Sequence, residues 1–191
     1  MHLLALLVML SEGRTVPAFH AISVETTADV DVTIGATAKV EVSAPNDWIG
    51  KLETTVEHGS LHIRAPKGKT PTFKVTITMP ALDAIAVSGL SNVHVAGLSA
   101  KKLAVAVDGA ATLDVSGSAD SFALAVSGAA QLKLAGLKTH DSAIQVAGLA
   151  SGALHADRAL AANVAGTATL ELYGKPQVAK QVSGTFDLRV R

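Results

Sequence analysis

Apolar and polar residues alternate along most of this chain, and beyond residue 80 the alternation is punctuated by glycine at a near-constant interval. Gly89, Gly109, Gly128, Gly148, Gly166 and Gly184 lie 18 to 20 residues apart, each two places after a valine. Four places before each glycine stand Ile85, Val105, Leu124, Ile144, Ala162 and Lys180, so only the last breaks the aliphatic column. Four and six places after come Val93 and Val95, Leu113 and Val115, Leu132 and Leu134, Gly152 and Leu154, Leu170 and Leu172, and Leu188 and Val190. Period-two spacing on both sides of one glycine predicts two short strands joined by a tight corner. A second glycine follows eight residues later at Gly97, Gly117, Gly136 and Gly174, with Ala156 in its place in the fourth unit, and predicts a second corner. Leu103, Phe122, Leu160 and Val178 recur six places before the first glycine and start the next inward face.

A unit of about twenty residues cannot bury its own apolar face and becomes stable by stacking on its neighbours. The predicted fold class is therefore all-β, a parallel β-helix (solenoid) of about 18–20-residue coils with a β-rich N-terminal portion. An antiparallel meander would also alternate, but it would not need the same corner residue in every unit. At these corners glycine is expected to supply a positive φ free of a Cβ clash. Each buried aliphatic side chain contributes roughly 1.5 to 3 kcal/mol, so the inward columns suffice for a core without a cofactor or disulfide.

Proline changes the picture near residue 80. Pro17, Pro45, Pro66, Pro71 and Pro80 precede the repeats and only Pro176 lies among them, so the turn chemistry differs on the two sides. Residues 16–80 read as an N-terminal β portion, continuous with the coils of 81–191 in one domain, with longer strands than the coils have. Ile22-Ser23-Val24, Val30 to Ile34 and Lys39 to Val42 alternate as half-buried strands. Thr54 to Glu57, the turn His58-Gly59-Ser60 and Leu61 to Ile63 predict a hairpin. Phe73, Val75, Ile77 and Met79 fall on one face of the next strand.

Composition narrows the function. Sixteen basic residues balance sixteen acidic ones, leaving no net field to attract nucleic acid or an anionic membrane. Cysteine is absent, which removes disulfides and thiolate catalysis. Leu3 to Leu10 is an apolar run of eight, too short to span a bilayer. Residues 1–15 thus read as a truncated secretory signal segment, lacking a basic leader and a clear cleavage site, and imply a periplasmic or secreted protein. The other reading is a short apolar element docked on the core.

Candidate chemistry is sparse. Stacked outward carboxylates would mark a polysaccharide-cleaving site. One outward column holds Ser88, Asp108, Ser127, Ala147, Ala165 and Ser183; a second holds His94, Asp114, Lys133, Ala153, Glu171 and Asp187. Neither gathers acids. Asp114 beside Lys133 suits a surface ion pair, and Asp108 with Asp114 is the one pairing of acids. The histidines His2, His20, His58, His62, His94, His140 and His155 are scattered and show no metal-ligand spacing outside the turn between His58 and His62. Gly148-Leu149-Ala150-Ser151-Gly152 misses a nucleophile elbow by one position, and no phosphate loop is present. No catalytic, cofactor or metal residue is assigned. His155 and Tyr173 share a column and form a small outward patch. Ala86, Ala106, Ala125, Gln145, Asn163 and Gln181 form a flat column suited to a glycan or protein ligand.

The unit Ala86-Val87-Ser88-Gly89-Leu90-Ser91-Asn92-Val93 has echoes at Ala125-Val126-Ser127-Gly128 and Gln181-Val182-Ser183-Gly184. With Leu172-Tyr173-Gly174-Lys175-Pro176 and the opening Phe19 to Val24 and Asp29 to Val32, it resembles the "putative auto-transporter adhesin, head GIN domain" family over about residues 16–191. The resemblance implies a β-helical protein of the bacterial cell envelope and carries over no catalytic residues. The expected function is a non-enzymatic envelope or secreted binding module, with a polysaccharide-active enzyme or a structural self-associating domain as alternatives. The alternating, uncovered strand Phe186 to Arg191 is expected to support weak self-association. The fourth unit departs from the family pattern at Gly152 and Ala156.

Overall fold

A computed structural model of the chain describes residues 9–66, 68 and 70–191; of the apolar run Leu3 to Leu10, residues 3–8 lie outside them. The first portion contains β1 (Met9–Arg14), β2 (Ala21–Glu25), β3 (Ala28–Ile34), β4 (Lys39–Pro45), the short helix α1 (Asn46–Ile49), β5 (Glu53–Glu57), β6 (Ser60–Arg64) and β7 (Phe73–Met79). The coils contain β8 (Ala84–Val87), β9 (Leu90–Val107), β10 (Ala110–Val126), β11 (Ala129–Leu134), β12 (Leu137–Val146) and β13 (Leu149–His155). They continue with β14 (Ala159–Val164), β15 (Thr167–Tyr173), β16 (Gln177–Val182) and β17 (Thr185–Val190).

Two faces of parallel strands run the length of the stack. On one, β6, β2, β8, the end of β9, the end of β10, β12, β14 and β16 follow in spatial order. On the other, β7, β3, the start of β9, the start of β10, β11, β13, β15 and β17 do the same. The chain is a β-solenoid whose equivalent residues are in register: Leu113 pairs with Val93 and with Leu132. The inward columns are buried as the alternation requires. Val126 is 2 % exposed, and Phe73, Leu103 and Leu113 are sealed from solvent.

Three features differ from the sequence expectation. The first is stacking order. β2 and β3 lie between the β6–β7 coil and the β8–β9 coil, so the chain passes over its first coil to continue the stack. The Asp83 amide donates to the His20 carbonyl at 2.8 Å on this crossing. The second is strand length. The strands of residues 16–80 have five to seven residues, whereas β9 and β10 run for 18 and 17 residues through their second corners, because a glycine there bends the strand without ending its pairing.

The third concerns the glycines. Positive φ occurs at Gly97, Gly117 and Gly174 of the second corner series but not at Gly136, and at none of the six glycines of the first. A Cβ on Gly109, Gly128, Gly148, Gly166 or Gly184 would instead collide with the carbonyl oxygen of the equivalent glycine one coil earlier, and on Gly89 with that of Thr26. The first series is required by close approach of stacked backbones; in the second, Gly97 is required by conformation alone and Gly117 and Gly174 by conformation and close approach together. The predicted hairpin is present, with β5 antiparallel to β6 and His58 and Gly59 at φ 52° and 77°, as a two-residue turn between twisted strands demands.

Candidate functional site

The face built from β2, β8, β9, β10, β12, β14 and β16 presents two outward columns. Register aligns Ala21 with Ala84, Ala104, Ala123, Ala143, Ala161 and Ala179 in one, the last six lying five places before the six repeat glycines. The sequence reading missed this column, although alanine at a fixed offset was its signal. The second column runs Ser23, Ala86, Ala106, Ala125, Gln145, Asn163 and Gln181, as expected. Neither column holds a charged side chain. The face is flat because methyl groups repeat about every 4.8 Å across paired strands.

Charges gather where this face meets the N-terminal coils. Arg64 Nε donates to Glu25 Oε2 at 2.9 Å, His62 Nδ1 lies 3.2 Å from Oε1, and Ser23 Oγ donates to the same oxygen at 3.3 Å. The Arg64 hydrogen bond holds the Glu25 carboxyl below the usual carboxylate range against its partial burial. His58 sits apart in the hairpin turn. Among the described residues no three His, Asp or Glu side chains come together as a metal site.

On the opposite face, Asp114 engages His94 at 3.7 Å and forms no ion pair with Lys133. Asp108 accepts a 2.5 Å hydrogen bond from Ser127 Oγ, so the two acids serve separate partners. The register places Arg189, not Asp187, beside Glu171; Asp187 pairs with Thr169. Arg189 donates to Asp187 at 3.2 Å and Arg191 to Glu171 at 2.9 Å. Arg191 holds the Glu171 carboxyl below its ordinary range.

His155 lies opposite Tyr173 across β13 and β15, with its Nε2 3.6 Å from Asp157. Near the repeat corners Leu90 and Leu149, 61 % and 59 % exposed, flank a shallow apolar hollow floored by Ala110 and Ala129. A second hollow of about 560 Å³ opens over Gly152 and Ala153, between Lys133 and Glu171. Among the described residues, no helix is long and apolar enough to cross a membrane.

Stacked parallel strands in register, with glycine at the corners, define the class of β-solenoid proteins. Residues 18–176 match the family described as "Putative auto-transporter adhesin, head GIN domain", and the chain belongs to that family. A solved structure of a putative adhesin from Bacteroides fragilis is similar over 96% of this chain and 97% of its own, at 19% identity and TM-score 0.73. A putative adhesin from Parabacteroides distasonis covers 96% and 97% at 18% identity and TM-score 0.58. A solved structure of a putative lipid binding protein from the same species covers 96% and 96% at 14% identity and TM-score 0.54. At these identities the likeness is one of fold. Comparison with curated proteins finds no match.

Proposed function

We propose that this chain is a non-enzymatic binding module of the bacterial cell envelope or of the secreted fraction, and that the alanine and amide face is its docking surface. The observation that carries this reading is the seven-alanine column beside Gln145, Asn163 and Gln181. A flat, uncharged strip loses little hydration when covered, and the amides supply both donors and acceptors along one edge. The family and two of the solved relatives, from Bacteroides fragilis and Parabacteroides distasonis, carry adhesin names, which agrees with binding. The outward carboxylates also favour binding over bond cleavage, since Glu25, Asp108, Asp114, Asp141 and Glu171 are each engaged by a neighbouring side chain.

The test is a binding screen of the full chain against intact bacterial cells, cell-wall fragments and immobilised glycans, repeated with Ala123→Arg and Ala143→Arg. Both positions face outward, so circular dichroism should be unchanged while binding falls at least tenfold. Absence of binding by the parent chain across the screen, or undiminished binding by both variants, would reject this face as the docking surface.

A further inference from the structure

The fourth coil is irregular at Gly152, and beside it the outward column shortens to alanine at Ala153, where a hollow opens. Gly152 occupies the inward register position where its neighbours carry the buried Leu132 and Leu170, so only its backbone borders the outward surface. It sits at φ 137°, and a Cβ there would collide with the Leu132 carbonyl oxygen. Next to it, Ala153 lies in the outward column between Lys133 and Glu171, where a longer side chain would fill the gap. A hollow of about 560 Å³ opens over Gly152 and Ala153, edged by Gln131, Thr169 and Arg189.

Its walls carry Lys133 on one side and, on the other, Glu171 with its register neighbour Arg189, which is hydrogen-bonded to Asp187. Lys133 is exposed and has no ion-pair partner among the described residues, whereas Glu171 is ionised and anchored by Arg191. Lys133 and Glu171 stand two strand spacings apart, about 9.6 Å at the backbone. That span leaves room for one pyranose ring with a hydrogen bond at each end.

We infer that this hollow binds a uronic acid residue of an acidic glycan. Lys133 takes the sugar carboxylate, Glu171 accepts hydrogen bonds from ring hydroxyls, and Gln131 and Thr169 satisfy the remaining polar edge. The apolar face of the ring rests on Gly152 and Ala153. The anion is met by a charged donor and each hydroxyl by a fixed acceptor, which is how a polar ligand recovers its desolvation cost. The site is separate from the alanine face and does not depend on it.

The experiment is titration calorimetry of the full chain with trimers of galacturonate, glucuronate and mannuronate, each alongside its methyl ester. At least one acid trimer is expected to bind, and its ester at least tenfold more weakly. Lys133→Glu should cost tenfold or more in affinity with an unchanged melting curve, Ala153→Phe should abolish binding by filling the hollow, and Lys101→Glu should change nothing. Ala143→Arg should leave trimer binding intact, so that failure of the alanine face and failure of this hollow are told apart. No binding by any trimer, equal binding of acid and ester, or full affinity in Lys133→Glu would each overturn the assignment.

Discussion

Around β2 to β7 the interior is filled by Phe19, Phe73, Ile77, Met79 and Leu82, with Trp48 edge-on to Phe73 at 6.4 Å. From β11 onward Ala130, Ala150, Ala162 and Ala168 take places among the leucines and valines. The broad end is closed by α1 and by antiparallel strands, β1 on β4 and β5 on β6. In the last coil, inward positions stand open, with Val178 and Val182 40% and 43% exposed. Lys180 occupies the column that holds Ile85, Val105, Leu124, Ile144 and Ala162 in the preceding coils. The same alternation therefore yields a buried core in the middle of the stack and an open apolar surface at β16 and β17, because burial of an inward residue depends on coils above and below it.

The sharpest way to break this comparison is to place one charge in each region. Val126→Asp puts a carboxylate among sealed aliphatics with no partner and is expected to abolish folding. Val182→Asp, at the equivalent position of the open coil, should fold with a loss of about 1 kcal/mol or less. Expression and circular dichroism of the two variants decide; equal tolerance would mean that the two regions do not differ as described.

The two glycine series allow the next test. Gly128→Ala drives a methyl group into the Gly109 carbonyl and is expected to cost about 3 kcal/mol, a fall of about 6–12 °C in melting temperature. Gly97→Ala meets no atom within 4 Å and pays only for its left-handed backbone, about 1 kcal/mol. Thermal melts that rank them in the reverse order would show that conformation, not coil contact, makes the first series necessary.

Lys180 separates the open end from an adhesive one, since an inward charge on an uncovered strand opposes pairing with another chain. The parent chain is expected to associate weakly through β16 and β17, and Lys180→Leu should strengthen that association severalfold, as read by light scattering over a wide concentration range. A strictly monomeric parent and an unchanged variant would together remove end-to-end pairing.

The smallest effect is electrostatic. The carboxyls of Glu25, Glu41, Asp141 and Glu171 are held below their ordinary range, chiefly by hydrogen bonds from Arg64, Ser11, Arg158 and Arg191 respectively. A carboxyl depressed in the folded state adds stability that is complete above its unfolded value, about 4. That contribution is lost as pH falls through the lower folded value. Melting temperature should therefore be level from neutral pH to about 5 and decline below about 4, modestly because these pairs are exposed and screened. Arg158→Ala should flatten the decline slightly; a decline beginning near neutrality would point to other groups.

Alternation and period were legible in the chain itself, because which side of a strand a residue faces is a local property with a two-residue repeat. Val126, Leu134, Phe73 and Met79 are buried for that reason, and the hairpin at His58 and Gly59 follows from its turn residues. Contacts between coils were not legible, since they depend on which strands lie side by side and how closely their backbones approach. Only the stacked structure shows β2 and β3 lying between β7 and β8, Gly128 meeting the Gly109 carbonyl, and Asp114 engaging His94 in place of Lys133. Likewise, Gly152 reads in sequence as an irregularity of the fourth coil and Ala153 as one member of an outward column. Their neighbours Lys133 and Glu171, brought beside them by parallel register, are the charged walls of the hollow that opens there.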